Sequence, residues 1–250
     1  MRIGGVPPIS VTVVSSTKII VKTPLLPAGT LNDVAVMNPG SPIGTLPEAF
    51  LADFLDVPGT NIFHADIEAV FRDGVAAGCG GGLFCPGSLV TRAQQAVFLL
   101  KAKFGETYQP PQATGAVFAD VPASAFAAAW IEALVVEGIS GGCGGNNYCP
   151  NAPVSRSQMA VLLLKAVHGS GYVPPPATGI FRDVVPGSFA AAWIEQLHNE
   201  GITAGCTVGN YCPSAPTSRQ QMATFLVKTF DLAPAQLSAP RTVGPRVSRP

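Results

Sequence analysis

Six cysteines and three arginines recur in this sequence at positions where side chains of their type can do chemistry. The cysteines form three Cys-x5-Cys pairs that begin at Cys79, Cys143 and Cys206, at nearly equal intervals. Each pair precedes a Ser/Thr-Arg-x-Gln segment. Paired thiols can form a disulfide or bind a metal ion, and a guanidinium group can bind an anion. Because the whole pattern occurs three times, function is to be sought in one repeated unit.

The even number and regular spacing of the cysteines favour disulfides and an oxidising compartment. The predicted pairs are Cys79–Cys85, Cys143–Cys149 and Cys206–Cys212. Metal binding is the alternative, but each repeat offers two sulfurs where a structural zinc site takes four ligands. The three histidines, which do not recur at equivalent positions, are His64, His168 and His198. We therefore predict no metal and no cofactor. A disulfide ring of this size contributes about 2 kcal/mol, so its main effect would be to fix a loop.

The Ser/Thr-Arg-x-Gln segment is typical of a helix N-terminus closed by a capping box. The predicted N-cap residues are Thr91, Ser155 and Ser218, and their capping-box partners are Gln94, Gln158 and Gln221. Capping does not explain Arg92, Arg156 and Arg219, because a cation in the first turn opposes the helix dipole. The recurring arginine therefore indicates a nearby anion.

Two anions remain open from the sequence. One is internal, an aspartate of the recurring Phe-x-Asp-Val turn, and the candidates are Asp56, Asp120 and Asp183. The other is a ligand carboxylate, held jointly by free helix N–H groups and the guanidinium group.

Two helices are predicted in each repeat, most clearly in the second. An apolar face is formed in its first helix by Phe126, Trp130, Ile131 and Leu134, and in its second helix by Met159, Leu162, Leu163 and Val167. Ser124 is the predicted N-cap of the first helix, and Gly138 follows its last turn. The first repeat differs from this apolar pattern, since it has Asp66 at the position of Trp130 and Trp193 in the other repeats.

Residues 9 to 52 have a different pattern, with short β-branched runs punctuated by turn residues. The four predicted strands are ISVTVV, KIIVK, DVAVMN and EAFLA. The stretch SSTKIIVKTPLLPAGTLNDVAVMNPGS resembles the second half of the immunoglobulin-like IPT/TIG module, which implies a partial β-sandwich that acts as a spacer or an interaction surface.

The repeated unit, from the Phe-x-Asp-Val turn to the Ser/Thr-Arg-x-Gln helix start, resembles the S-layer homology (SLH) domain. The resemblance implies a mainly α fold, with three helical-hairpin repeats in a pseudo-threefold assembly and the small partial β-sandwich at the N-terminus. The expected domains are 1–52 (β), 53–116, 117–179 and 180–231 (SLH repeats), and 232–250 (disordered tail). The signature in this chain carries Gln where the family has Glu, so its ligand is expected to differ from that of better-known members.

Composition excludes several classes of function. Lys+Arg 15 balances Asp+Glu 15, and no basic stripe for nucleic acid is present. No apolar run approaches the length of a membrane span. No nucleophile–base pair or catalytic carboxylate pair stands out, so no enzyme is predicted. The first residues lack a signal peptide, so we expect this chain to be a fragment of a longer exported protein.

The resulting prediction is a non-catalytic module that binds cell-wall or envelope polysaccharide outside the cytoplasm. Its predicted ligand-binding residues are the three arginines with their capping-box neighbours. The alternative is a structural or protein-interaction array without glycan binding, and the sequence does not indicate an oligomeric state.

Overall fold

The computed structural model describes residues 1–232. Within this range the chain forms two compact units. Of the described residues, the β unit comprises Met1–His64 and Ala77–Cys85, and the helical unit comprises Ala65–Ala76 and residues 86–232. The predicted tail begins at Leu232, which is buried, and its other residues, 233–250, lie outside the described chain.

The β unit contains two small antiparallel sheets. Its strands are β1 (Arg2–Ile3), β2 (Ser10–Ser15), β3 (Lys18–Lys22), β4 (Thr30–Val36) and β5 (Gly44–Ala52). One sheet has the order β1-β4-β5, and the other is the β2-β3 hairpin. Four strands lie where β-branched residues predicted them, and β1 is an addition. The short apolar core of this unit includes Ile3, Leu51, Phe54 and Val57.

The predicted fold class, mainly α with a pseudo-threefold helical assembly and a partial β-sandwich, is wrong. The structure is mixed, with 28% helix and 18% strand. The first helices of the second and third repeats are shorter than the apolar patterns indicated, and much of each repeat is turn and connector. The five strands before residue 53 add a second type of structure.

The helical unit is built from six helices in the described chain. They are α1 (His64–Arg72), α2 (Arg92–Phe104), α3 (Ala128–Val136), α4 (Arg156–His168), α5 (Ala191–Asn199) and α6 (Arg219–Phe230). The second helices of the repeats, α2, α4 and α6, contact one another pairwise. In addition, α2 packs on α3 and α4 packs on α5, each time across the boundary between two repeats. No helix within residues 1–232 is long and apolar enough to cross a membrane.

A closed ring of main-chain hydrogen bonds joins the segments just before α2, α4 and α6. Val90 N–H donates to the Thr217 carbonyl at 3.0 Å, Thr217 N–H to Val154 at 2.8 Å, and Val154 N–H to Val90 at 3.0 Å. All three residues are fully buried. Each repeat therefore contributes one donor and one acceptor, and the third repeat closes on the first.

The first helices begin later than predicted. In the second repeat, α3 starts at Ala128, after Ala127 has taken a left-handed conformation with φ 61°. Ala190 takes the same conformation before α5. As a result Phe126 and its equivalent Phe189 lie outside the helices and are 69% exposed, so the predicted place of Phe126 on the apolar face is wrong. Ser124 likewise is not the N-cap, because Ala127 occupies that position.

Candidate functional site

The predicted capping boxes are present at all three helix starts. Gln94 N–H donates to the Thr91 hydroxyl at 3.2 Å, and Thr91 N–H donates back to the Gln94 side chain at 3.1 Å. Ser155 and Gln158 form the same pair at 3.3 and 3.1 Å. Ser218 N–H donates to the Gln221 side chain at 3.1 Å. These six side chains are half-buried, and each forms the local contact that its sequence position predicts.

The first two N–H groups of each of these helices bond to another repeat. Arg92 N–H donates to the Ala152 carbonyl at 2.9 Å, and Ala93 N–H donates to Pro150 at 3.0 Å. The equivalent bonds of α4 reach Ala215 and Pro213, and those of α6 reach Ser88 and Pro86. Together with the capping box, these bonds occupy the N–H groups of the first turn. The hypothesis that free helix N–H groups hold an anion is therefore wrong, and only the guanidinium groups could do so.

All three arginine side chains are buried, with relative exposures of 5% for Arg92, 4% for Arg156 and 8% for Arg219. Arg92 Nε donates to the Tyr148 carbonyl at 2.7 Å, and Arg156 Nε donates to the Tyr211 carbonyl at 2.8 Å. Each guanidinium carbon lies 4.6 Å from the centroid of the same tyrosine ring, which is cation–π range. Burial lowers the pKa of Arg156, and the nearby Tyr211 and Asp183 oppose that effect.

The internal ion pair, one of the two alternatives left open by the sequence, does not form at Arg92 or Arg156, since no carboxylate in residues 1–232 lies within 4 Å of either guanidinium group. In both arginines the Nη2 atom is buried and has no hydrogen-bond partner among the described residues. A buried N–H donor without a partner is costly. The hydrogen-bonding capacity of these two guanidinium groups is therefore incompletely satisfied by the described chain.

The aspartates of the Phe-x-Asp-Val turns hold the disulfide loops. Both oxygens of Asp120 accept main-chain hydrogen bonds, from Tyr148 N–H and Cys149 N–H, at 2.7 Å each. Asp183 binds Tyr211 and Cys212 in the same way, and Asp56 binds Phe84 and Cys85 within the β unit. Burial would raise the pKa of Asp120, but these hydrogen bonds and the Arg92 charge together lower it. The aspartate side chain thus replaces a backbone partner for two consecutive N–H groups.

The three predicted disulfides are present. Cys79 is bonded to Cys85, Cys143 to Cys149 and Cys206 to Cys212. The second cysteine of each pair is left-handed, with φ near 60°, directly after the two N–H groups bound by aspartate. Within residues 1–232, the group of side chains close enough to hold a metal ion is Asp183 with Cys206 and Cys212. Its two sulfurs are already bonded to each other, so they are not thiolate ligands.

Two sets of residues were not included in the predicted site. The first is the aromatic residue before the second cysteine, Tyr148 or Tyr211, which is fully buried and contacts the arginine of the preceding repeat. Burial raises the pKa of Tyr148 to about 12. The signal was visible, because an aromatic residue stands before the second cysteine in every copy.

The second set is Glu132 and Glu195, at equivalent positions of the first helices. The Glu195 carboxylate accepts from the N–H groups of Thr178, Gly179 and Ile180 at 2.6 to 2.8 Å. Glu132 accepts from Thr114 and Gly115 at 2.7 to 2.8 Å. These glutamates have a structural role, because they hydrogen-bond the Pro-rich connector to the helix that follows it.

A comparison with protein families matches residues 117–160 to the S-layer homology domain. These residues run from the Phe-x-Asp-Val turn of the second repeat, through α3 and the disulfide loop, to the first turns of α4. The match therefore includes Arg156 with its capping box.

Several curated proteins are similar to this chain. An S-layer protein of Bacillus thuringiensis subsp. finitimus is 26% identical over 208 residues, which is 81% of this chain and 24% of the relative. The cellulosome-anchoring protein of Acetivibrio thermocellus is 23% identical over 159 residues, which is 63% of this chain and 35% of the relative. An endoglucanase of Bacillus sp. (strain KSM-635) is 26% identical over 123 residues, which is 49% of this chain and 12% of the relative. This chain thus spans about a third or less of each relative.

Proposed function

We propose that this chain is a non-catalytic module that anchors its protein at the bacterial cell surface by binding a cell-wall or envelope polysaccharide. The match to the S-layer homology domain and the S-layer and cellulosome-anchoring relatives support a cell-surface, extracytoplasmic anchoring role. The disulfides agree with such a compartment. The match covers only 12% of the endoglucanase, so the activity of that relative carries no weight for this chain.

The domain organisation belongs to the same proposal. Residues 53–116, 117–179 and 180–231 are three SLH repeats, of which the second carries the family match. The ring through Val90, Val154 and Thr217 supports this reading, because it uses one equivalent residue from each repeat. Residues 1–52 are an IPT/TIG-like spacer that takes no part in ligand binding.

The observation that carries the polysaccharide proposal is the charge of Arg92 and Arg156. Each guanidinium group has a buried Nη2 atom without a partner in the described chain, and neither has a carboxylate within 4 Å. An acidic or ketal-bearing sugar would supply the acceptor that this atom lacks, as in bidentate arginine–carboxylate contacts. We propose that Arg92, Arg156 and Arg219 contact this sugar, and that the flanking capping-box residues complete the site. They are Thr91, Gln94, Ser155, Gln158, Ser218 and Gln221.

A structural or protein-interaction array is the second candidate. It is favoured by the burial of all three arginines. In addition, Arg92 and Arg156 each donate a hydrogen bond to a main-chain carbonyl of the following repeat. In that case the guanidinium groups would serve only to join the repeats. Cation–π contact with a buried tyrosine would then be sufficient to stabilise them.

The experiment is co-sedimentation of the full chain with purified polysaccharide-bearing cell wall of the producing bacterium. The test variant carries Arg→Met at positions 92, 156 and 219, because methionine keeps an extended apolar stem over the tyrosine ring and removes the charge. The matched control loses three exposed cations through Arg2→Ala, Lys18→Ala and Arg182→Ala. We expect the folded test variant to lose wall binding and the control to retain it. Equal binding by the two variants contradicts the arginine site, and a wild-type chain that does not bind favours the structural array.

A further inference from the structure

Contacts across the repeat boundary are reciprocal at the first two arginines. While Arg92 Nε bonds to the Tyr148 carbonyl, the Tyr148 hydroxyl donates to the Arg92 carbonyl at 3.2 Å. The Tyr211 hydroxyl likewise donates to the Arg156 carbonyl at 2.8 Å. One tyrosine therefore contacts the backbone, the Nε atom and the guanidinium face of the arginine in the preceding repeat.

The tyrosine is in turn held from within its own repeat. Tyr148 N–H and the following Cys149 N–H are both bound by Asp120, and the Tyr148 ring packs 5.3 Å from the Phe118 ring. The Cys143–Cys149 disulfide closes the loop at that point. The carbonyl that receives Arg92 lies between the tyrosine and the bonded cysteine, so its direction depends on the conformation of the closed loop.

We propose that Tyr148 and Tyr211, with the disulfides Cys143–Cys149 and Cys206–Cys212, are positioning groups for Arg92 and Arg156, respectively. The disulfide of one repeat thereby fixes the side-chain position of the anion-binding arginine in the preceding repeat. The inference rests on the proposed function in so far as the arginines contact a sugar. Its distinctive consequence is crossed coupling, because a change in one loop affects the preceding arginine and leaves the arginine of its own repeat in place.

The positioning itself can be measured without a ligand. The Nε–H groups of Arg92 and Arg156 are observable by ¹H–¹⁵N NMR, and hydrogen-bonded, buried groups exchange slowly with solvent. In the Cys143→Ser/Cys149→Ser variant we expect exchange at Arg92 Nε–H to accelerate about tenfold or more, as loss of local protection requires. Exchange at Arg156 Nε–H should remain unchanged. Equal acceleration at both arginines, or none at Arg92, overturns the proposal whether or not the chain binds polysaccharide.

The effect on binding is tested by double-mutant cycles with polysaccharide released from the same cell wall. We expect the Cys143→Ser/Cys149→Ser change to weaken binding about tenfold, the size of one charge-assisted contact. In the Arg92→Met background the serine change should weaken binding no further. In the Arg156→Met background the two losses of affinity should multiply. Multiplicative loss on both backgrounds indicates a general loss of stability and contradicts positioning.

Substitutions at the tyrosine give an independent route if the serine variant does not fold. Tyr148→Phe keeps the ring and the carbonyl, so we expect binding within about threefold of wild type, in line with one neutral hydrogen bond. Tyr148→Leu removes the ring beneath the guanidinium group and should behave like Arg92→Met. If Tyr148→Leu binds as well as Tyr148→Phe, the ring has no positioning role.

Discussion

Asp66 in α1 accepts a hydrogen bond from the hydroxyl of Thr224 in α6. The contact joins the first helix of the first repeat to the last helix of the third. Asp66 occupies the position at which the other two repeats have Trp130 and Trp193. Those two tryptophan rings pack instead on Tyr108 and Tyr172, with centroids 5.7 and 5.8 Å apart.

This contact predicts a coupled loss of stability. We expect Asp66→Ala to lower the free energy of unfolding by about 1–2 kcal/mol, because the half-buried Thr224 hydroxyl loses its charged partner. Thr224→Val alone should cost a similar amount, and the double variant should cost little more than either single one. Urea denaturation of the four proteins measures the coupling. Strictly additive losses would contradict a direct interaction.

Capping boxes, disulfides and helix ends were predictable from the sequence because they are local. Thr91 and Gln94 are three positions apart, and each disulfide closes a ring within one loop. Gly138 was correctly placed after the last turn of α3, where φ is 66° and glycine is favoured. Each of these features is determined by residues that are neighbours in the chain.

The partners of the arginines were not predictable for the opposite reason. Arg92 and Tyr148 are separated by 56 positions, and no periodicity links them. The sequence also gave no warning that Ala127 would turn left-handed and leave Phe126 exposed, since alanine favours helix. That turn is imposed by the packing of the repeat, and it overrides the local preference.

The ring at Val90, Val154 and Thr217 contains one polar side chain. Thr217 is fully buried, and its hydroxyl has no hydrogen-bond partner among residues 1–232. Valine occupies both equivalent positions and has nearly the same shape. We therefore expect Thr217→Val to raise the free energy of unfolding by about 1–2 kcal/mol, because an unsatisfied hydroxyl is removed from the interior.

The matched control for this prediction is Val154→Thr, which introduces the same hydroxyl at the equivalent place. It should lower the free energy of unfolding by a similar amount. Thermal unfolding of both variants against the wild type measures the two shifts. A Thr217→Val protein that is less stable than wild type would mean that the hydroxyl has a partner in solution.

Glu195 should make stability depend on pH in the acid range. Burial would raise the pKa of Glu195, but hydrogen bonds from the N–H groups of Thr178, Ile180 and Gly179 outweigh it and lower the pKa. Because the folded-state pKa lies below the ordinary value of 4.5, the carboxylate stabilises the fold fully above that value. The contribution is lost as pH falls through the folded-state pKa.

We expect Glu195→Gln to be less stable than wild type at pH 7 by about 1–3 kcal/mol, since the amide is a weaker acceptor for three donors. The difference should shrink as the pH is lowered below 4.5, where the wild-type carboxylate becomes protonated. Denaturant titrations between pH 7 and pH 3 measure this convergence. Glu106→Gln, at an exposed site, is the control and should leave stability nearly unchanged throughout.

The final prediction concerns the aspartates that hold the disulfide loops. Asp120→Ala removes the acceptor of two main-chain hydrogen bonds at once. The Cys143–Cys149 disulfide cannot replace this acceptor, because the N–H groups of Tyr148 and Cys149 remain without partners. We expect a loss of about 1–3 kcal/mol in the free energy of unfolding. Asp183→Ala should behave alike, since its geometry is the same. Asp53→Ala removes a carboxylate that is 52% exposed and pairs with His64, so it should change stability by less than about 0.5 kcal/mol. Urea denaturation under non-reducing conditions compares the three, and an Asp120→Ala protein as stable as Asp53→Ala would show that the disulfide alone fixes the loop.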